Sequence, residues 1–227
     1  TAPLDAFSIL SSDDPGTAAD LLQQMAARAP EHRAWLEIRA ARARLAAEDG
    51  ETFEEAERSA SELEDPVARA WHRVLHARSL GTRNRHALAV QQLERAERTI
   101  GEAAPQSLSH ARVIDALGLA RIRNRSGREG LRDLERALEM RRTVAPESLA
   151  VADSLTHLGN YSPDFTRQLD LQEEALRIRR QIAPDGIDVA KTLNNLGNLS
   201  WSRGRLALAI EHLAEAERRF VDLGVGG

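Results

Sequence analysis

Val189-Ala-Lys-Thr-Leu-Asn-Asn-Leu-Gly-Asn-Leu-Ser-Trp-Ser-Arg-Gly204 is the stretch that decides how this chain is read. Leu193, Leu196 and Leu199 recur at helical spacing, so they share one face. Gly197 lies on that face beside them. A glycine inside a helix costs roughly 1 kcal/mol against alanine, and close approach of another helix is the usual compensation. Gly204 ends the helix and supplies a tight turn. A second helix follows to Phe220, with Leu206, Ala209, Ile210, Leu213, Ala216 and Phe220 on its apolar face. Ala209 and Ala216 are small where two helices would touch. The unit is an antiparallel helical hairpin that cannot bury its apolar face alone.

Outward from that hairpin the chain repeats itself. Pro30, Pro66, Pro105, Pro146 and Pro184 recur at a near-constant interval, in the range of helical-repeat periods. Each precedes an amphipathic segment, as the first-turn preference of proline predicts. Gly118, Gly159 and Gly197 stand at one fixed offset after Pro105, Pro146 and Pro184. Ala96, Ala137 and Ala175 stand at one fixed offset before those same glycines. These two markers hold one register and define five helical hairpins, 30–65, 66–104, 105–145, 146–183 and 184–222. The first two are degenerate: Ala77 takes the glycine position in the second, and the second helix of the first aligns poorly. Residues 1–29 read as capping helices, and 223–227 as a disordered tail. In the fourth hairpin the segment from Gly159 to Ala175 is shorter than its counterparts, Gly118 to Ala137 and Gly197 to Ala216. Pro163 cannot sit in a helix interior, so the first helix is predicted to stop near Tyr161 and the second to begin around Asp164. The shortening reads either as a tolerated loop deletion or as a local opening that shapes a groove.

Composition narrows the class. The chain has 227 residues, few aromatics and abundant Ala, Leu, Arg and Glu, which favours helix throughout. A net charge of −4 argues against a nucleic-acid binder held by phosphate contacts. No apolar run is long enough to span a membrane. The absence of cysteine excludes disulfides and thiolate metal sites and is compatible with a cytoplasmic location. The chain starts at Thr1 without methionine and ends Gly-Val-Gly-Gly, which reads as a fragment of a larger protein.

Leu193, Leu196-Gly197, Ala209, Leu213 and Ala216 together resemble a tetratricopeptide (TPR) repeat. The Leu-Asn-Asn-Leu-Gly form in long repeats is similar to the kinesin-light-chain-like subclass. The resemblance covers the C-terminal three-fifths of the chain well and residues 30–100 more loosely. It implies an all-α, right-handed α-solenoid of about five hairpins plus N-terminal helices, whose first helices line a concave groove. In that groove the last repeat would present Lys191, Asn194, Asn198 and Trp201, with Asn195 at the margin. The fourth would present Asp153, Thr156 and Asn160, with His157 at the margin. Earlier repeats would add Arg112, Asp115, Arg123 and Arg78. The resemblance implies that Asn194 and Asn198, with Asn160 one repeat earlier, pair with the backbone of an extended peptide, since an amide both donates and accepts. Equally, Asn195 and Asn198 read as satisfying inter-repeat backbone groups. A carboxylate clamp of the kind that holds chaperone tails is disfavoured, because Asp153 stands where a second cation is needed.

No catalytic constellation emerges, and no cofactor is implied. His72 and His76 have metal-ligand spacing but no identifiable third ligand, so they read as a solvated or partner-packed helix face. Gly127-Arg-Glu-Gly130 reads as a hairpin turn. Arg132 with Glu135 and Glu139 with Arg142 read as pairs along one helix. The leading expectation is a non-enzymatic scaffold or sensor arm that binds a protein or extended peptide, part of a larger bacterial regulatory protein. An open apolar side on the last helix suggests self-association or further chain. The resemblance also extends to arrays attached to caspase-like CHAT-domain proteins and signalling ATPases. A peptide-signal receptor controlling a transcription factor and an all-α metal enzyme are the readings of other classes.

Overall fold

The computed structural model describes Arg58 and residues 60–225. The capping helices expected over 1–29, and nearly all of the hairpin expected over 30–65, lie outside the described residues. Among the described residues there is no strand, and eight α-helices follow the helical residues 58 and 60–62. They are α1 (Pro66–Thr82), α2 (His86–Ala103), α3 (Leu108–Arg123), α4 (Gly127–Val144), α5 (Leu149–Tyr161), α6 (Phe165–Ile182), α7 (Ile187–Ser202) and α8 (Leu206–Asp222). The chain divides into two compact units, residues 1–127 and 128–227. No described helix is long and apolar enough to cross a membrane.

Local sequence explains where the helices begin. The Asp65 carboxylate accepts from the Val67 and Ala68 amides at 2.7 and 3.4 Å, and Pro66 opens α1, where its missing N–H costs nothing. Ser107, Ser148 and Asp164 cap α3, α5 and α6 in the same way. The prolines do not all play the role expected of them. Pro105, Pro146 and Pro184 precede their caps and sit in the connecting turns, so only Pro66 of this described set lies in a first turn.

The turns between first and second helices follow one design. Asn84, Arg125 and Gly204 have φ of 58°, 67° and 70°. The next residue in each case bonds back five positions: Arg85 to Leu80 at 2.9 Å, Ser126 to Arg121 at 2.8 Å and Arg205 to Ser200 at 3.0 Å. This left-handed closure satisfies carbonyls that the helix end would otherwise leave bare. The turn after α3 is therefore 124–126, and Gly127-Arg-Glu-Gly130 is the first turn of α4 rather than a hairpin loop. The fourth hairpin lacks this turn. There α5 stops at Tyr161, Asp164 caps α6, and 162–164 connect them, as the shortened spacing and Pro163 predict.

In the first unit, Val74, Ala77 and Leu80 of α1 pack with Leu93, Ala96 and Ile100 of α2 and with Val113 and Leu117 of α3. In the second, Leu169 and Leu176 of α6 meet Val189, Leu193 and Leu196 of α7, with Ala216 of α8 behind them. The close approach expected at Gly197 is present: a Cβ there would lie 2.6 Å from Leu213 Cγ. The terminus expected to be disordered from Leu223 is hydrogen-bonded as far as Val225, whose amide donates to the Phe220 carbonyl at 2.9 Å.

Candidate functional site

Within the second unit a cleft of about 550 Å³ is lined by Asp153, Thr156 and His157 of α5, Arg179 of α6, Asp188, Lys191, Asn194 and Asn195 of α7, and Phe220 of α8. Four of the residues expected to line a groove thus come together: Lys191, Asn194, Asp153 and Thr156. A second recess of about 390 Å³ shares Asn194 and Phe220 with it and adds Leu213, Ala216, Glu217, Val221 and Val225.

Arg179 builds the floor. It is 6% exposed although it carries a charge. Its Nη1 donates to Thr156 Oγ1 at 2.9 Å and to Thr192 Oγ1, and its Nη2 donates to Asp153 Oδ1 at 2.8 Å. The guanidinium therefore ties α5 and α7 to α6, and its donors are matched by two hydroxyls and a carboxylate, as a buried charge requires. The arrangement also offsets the Asp153 charge that would repel an anionic ligand. Arg141, one repeat earlier, likewise donates from Nη1 to Ser154 Oγ at 2.6 Å and to the Ala150 carbonyl at 3.1 Å. At the rim Lys191 Nζ lies 3.2 Å from Asp188 Oδ1, with both side chains 57% exposed. Exposed pairs of this kind hold each other weakly, by ~0–1 kcal/mol, so a ligand displaces them readily.

The asparagines divide. Asn160 sits exposed at the end of α5, where its Oδ1 accepts from Gln172 Nε2 at 2.8 Å, so that oxygen is already used within the hairpin. Asn194 and Asn195 are half-buried in the cleft, and Asn198 is exposed further along α7. Their side chains make no hydrogen bond among the described residues. The inter-repeat bonding considered for Asn195 and Asn198 is therefore absent. Trp201 follows on α7 with 61% of its surface exposed.

The first unit changes several expectations. Asp115 does not line a groove; it is 5% exposed and packed inside. Arg112 is exposed and stacks over Trp71, 5.0 Å from the ring centroid. Arg78 is exposed on α1. His72 and His76 are buried at 5% and 1% exposure, so neither forms a solvated face. Among the described residues no three His, Cys, Asp or Glu side chains gather as a metal site. The charged pairs expected along α4 instead cross to α6: Arg142 binds Glu174 at 2.8 Å, and Glu135 takes Arg167 at 2.6 Å.

Hairpins with a left-handed turn, a small residue at the crossing and a second helix that packs on the next first helix define a TPR-type α-solenoid. Solved structures show the same fold. BtubC (BKLC) from P. vanneervenii superposes with a TM-score of 0.76 at 20% identity, covering 100% of this chain and 94% of that one. A Rap protein complexed with Competence and Sporulation Factor gives a TM-score of 0.69 at 12% identity, over 95% of this chain and 57% of that one. The apo form of RapI gives 0.52 at 14% identity, over 95% and 89%. No protein-family description matches the chain, and no curated protein does.

Proposed function

We propose that the chain is a non-catalytic protein- or peptide-binding scaffold that receives an extended peptide in the α5–α7 cleft. The observation that carries this reading is the state of the amides. Asn194 and Asn195 face a cleft whose charges are already balanced, and they hold donors and acceptors that no described residue uses. A peptide backbone offers the complementary groups at regular intervals, and Trp201 beyond them supplies an exposed aromatic face. One structural neighbour, the Rap protein, was solved with Competence and Sporulation Factor bound, which supports an array of this kind as a receiver of ligands. In this reading the protein is a cytoplasmic sensor or regulatory arm of a larger bacterial protein.

The test is selection of peptides against the wild-type chain, followed by affinity measurement with Asn194→Ala/Asn198→Ala. The reading expects affinity to fall about tenfold or more, as loss of buried amide bonds implies. Equal affinity would move the binding surface elsewhere, and failure to select any peptide would leave the array a spacer.

Self-association is a second reading, favoured by one contrast. Ile210 of α8 occupies the repeat position of Leu169 in α6. Leu169 is 8% exposed against α7, whereas Ile210 is 63% exposed and Leu206 beside it is 52% exposed. Sedimentation should then show a dimer that Ile210→Glu dissolves; a wild-type monomer at high concentration would end this reading.

A further inference from the structure

Each second helix of the array matches the helix that follows it, position by position. One such position lies immediately after the repeat's alanine: Glu97 in α2, Leu176 in α6 and Glu217 in α8. Glu97 meets His110 of α3, with Oε1 3.2 Å from the imidazole Nε2. Leu176 shares one buried cluster with Val189 of α7, which stands before Gly197 where His110 stands before Gly118. A second position lies about one turn further on: Ile100 in α2, Arg179 in α6 and Phe220 in α8. Ile100 shares one buried cluster with Val113 of α3. Arg179 instead donates to Oγ1 of Thr192, which stands in α7 where Val113 stands in α3. Arg141 of α4 repeats that match with Ser154 of α5. Across these junctions acid answers base, apolar answers apolar, and guanidinium answers hydroxyl.

At these two positions α8 carries the combination of α2 and not that of α6: an acid, Glu217, with an apolar residue, Phe220. Both line the recess of about 390 Å³ beside α7, with Leu213 and Val221 also on its walls. Glu217 is exposed, and among the described residues no ion pair engages it. Further back along the helix Leu206 and Ile210 are exposed, whereas Leu169, at the place of Ile210, is buried in the cluster that includes α7. At one place α8 departs from α2. Gly101 leaves room for the His110 ring, whose Cε1 would lie 3.2 Å from a Cβ there, and α8 has Val221 at that place. An imidazole loses its seat against valine, while the slender stem of a lysine or arginine passes it to reach the carboxylate.

We propose that α8 receives an amphipathic helix of a partner protein, built like α3, with a lysine or arginine at the place of His110 and apolar residues at the places of Val113, Ile114 and Leu117. Its base pairs with Glu217, its first apolar residue covers Phe220, and its later ones cover Ile210, as α7 covers Leu169 of α6. Once covered, Glu217 without a base would be a buried unpaired charge, which selects against a helix that is apolar at that place. A second copy of this chain fits less well. Its α3 and α7 already spend this stripe on α2 and α6, and the face of a second α8 brings the same acid and not the base that Glu217 lacks. The inference goes beyond the α5–α7 cleft and requires no peptide there.

The experiment is fluorescence anisotropy of three labelled helical peptides titrated with the full chain. Each is stapled on its outer face, because isolated helices of this length are marginal in water. The first has the α3 sequence Leu108–Arg123 with His110→Lys, the second has the same sequence with His110→Glu, and the third has the α7 sequence Ile187–Ser202. The lysine peptide should bind saturably, and the glutamate and α7 peptides about tenfold or more weaker. Glu217→Lys in the chain should exchange the preference, losing the lysine peptide and gaining the glutamate one. Glu217 is exposed, so this variant should keep wild-type helicity and melting, which are measured beside it. Equal binding of the lysine and glutamate peptides, or an unchanged preference in Glu217→Lys, would overturn the proposal by showing that Glu217 selects nothing. A wild-type dimer in sedimentation that no peptide dissociates would give the face to a second copy instead. No saturable binding by any peptide would also overturn it.

Discussion

The hairpins α5–α6 and α7–α8 place a glycine at the same point of the first helix and answer it in opposite ways. On Gly197 a Cβ would lie 2.6 and 2.7 Å from Leu213 Cγ and Cδ2, and 3.3 Å from the Leu213 backbone nitrogen. On Gly159 it would lie 2.9 Å from Gln172 Nε2, 3.0 Å from Cγ and 3.2 Å from Cδ. Leucine meets glycine as an apolar interlock fixed close to its backbone. Glutamine meets it as a polar latch, with Nε2 bonded to Asn160 Oδ1 at 2.8 Å and to the Thr156 carbonyl at 3.3 Å. The latch also lacks the left-handed turn found in the other three first-to-second-helix connections. A shorter turn removes the last residues of the first helix, and the Gln172 and Gln168 side chains bond the groups exposed there; Gln168 Nε2 reaches the Ser162 carbonyl at 2.7 Å. One repeat register thus tolerates two chemistries at its tightest contact.

The largest effect should come from the apolar hairpin. Leu196 is fully buried beside Gly197, so Leu196→Ala should cost ~2–5 kcal/mol through lost burial and the cavity left behind. Thermal melting that left this variant like wild type would refute the register. A smaller and more telling effect separates the hairpins. Gly197→Ala should cost ~1–3 kcal/mol, because Leu213 has no room to yield near its own backbone. Gly159→Ala should cost less than Gly197→Ala, because the Gln172 side chain can rotate and alanine returns up to ~1 kcal/mol of helix propensity. Equal losses in the two variants would break the comparison and make the latch as rigid as the interlock.

These hairpins also show what was legible in the chain. Gly197 announced a close approach, because a helix interior does not keep a glycine without a reason. The early stop at Tyr161 was legible because the segment from Gly159 to Ala175 is short and Pro163 forbids a continuous helix. Arg179 was not legible. An arginine on an amphipathic helix reads as solvated, since its long stem lets the charge reach water. Its burial depends on Thr156, Thr192 and Asp153 arriving from two other helices, which no local window contains. A faint signal existed: Arg141-Arg142 and Arg179-Arg180 recur at the same interval that separates Pro146 from Pro184. Asp115 was misplaced for a related reason, because tertiary packing can bury a polar residue that periodicity alone assigns to a surface; for His72 and His76 the same packing removes the solvated alternative and leaves the packed one.

Gln172→Leu would turn the latch into an interlock and so sharpens the contrast. Gln172 Oε1 is buried without a partner, and leucine removes that cost while keeping similar bulk. Against this, Asn160 Oδ1 and the Thr156 carbonyl lose the Nε2 donor. Asn160 is exposed and finds water, so the balance should favour the variant by up to ~1 kcal/mol. A melting temperature at or above wild type is the expected result. A loss of ~2 kcal/mol or more would show that the latch holds the shortened turn together and is no compromise.

The smallest effect concerns a bond that joins the two hairpins. Arg180 of α6 places Nη2 2.8 Å from both oxygens of Glu215 on α8, and Arg219 Nε lies 3.0 Å from Oε1. Partial burial raises the Glu215 pKa, but the hydrogen bonds and charges of Arg180 and then Arg219 outweigh it and hold the carboxyl below its ordinary value of 4.5. A carboxylate depressed in the folded state stabilises the protein above its unfolded pKa, and that contribution is lost as pH falls through the folded pKa. The group is partly open to solvent, so the contribution should not exceed ~1 kcal/mol. Melting curves of wild type and Glu215→Gln should therefore differ at neutral pH and converge as the pH drops below about 4.5 and the wild-type carboxyl takes up its proton. A gap that persisted unchanged into acid would mean that the glutamine variant loses packing between α6 and α8, and that the charge of the bridge contributes nothing.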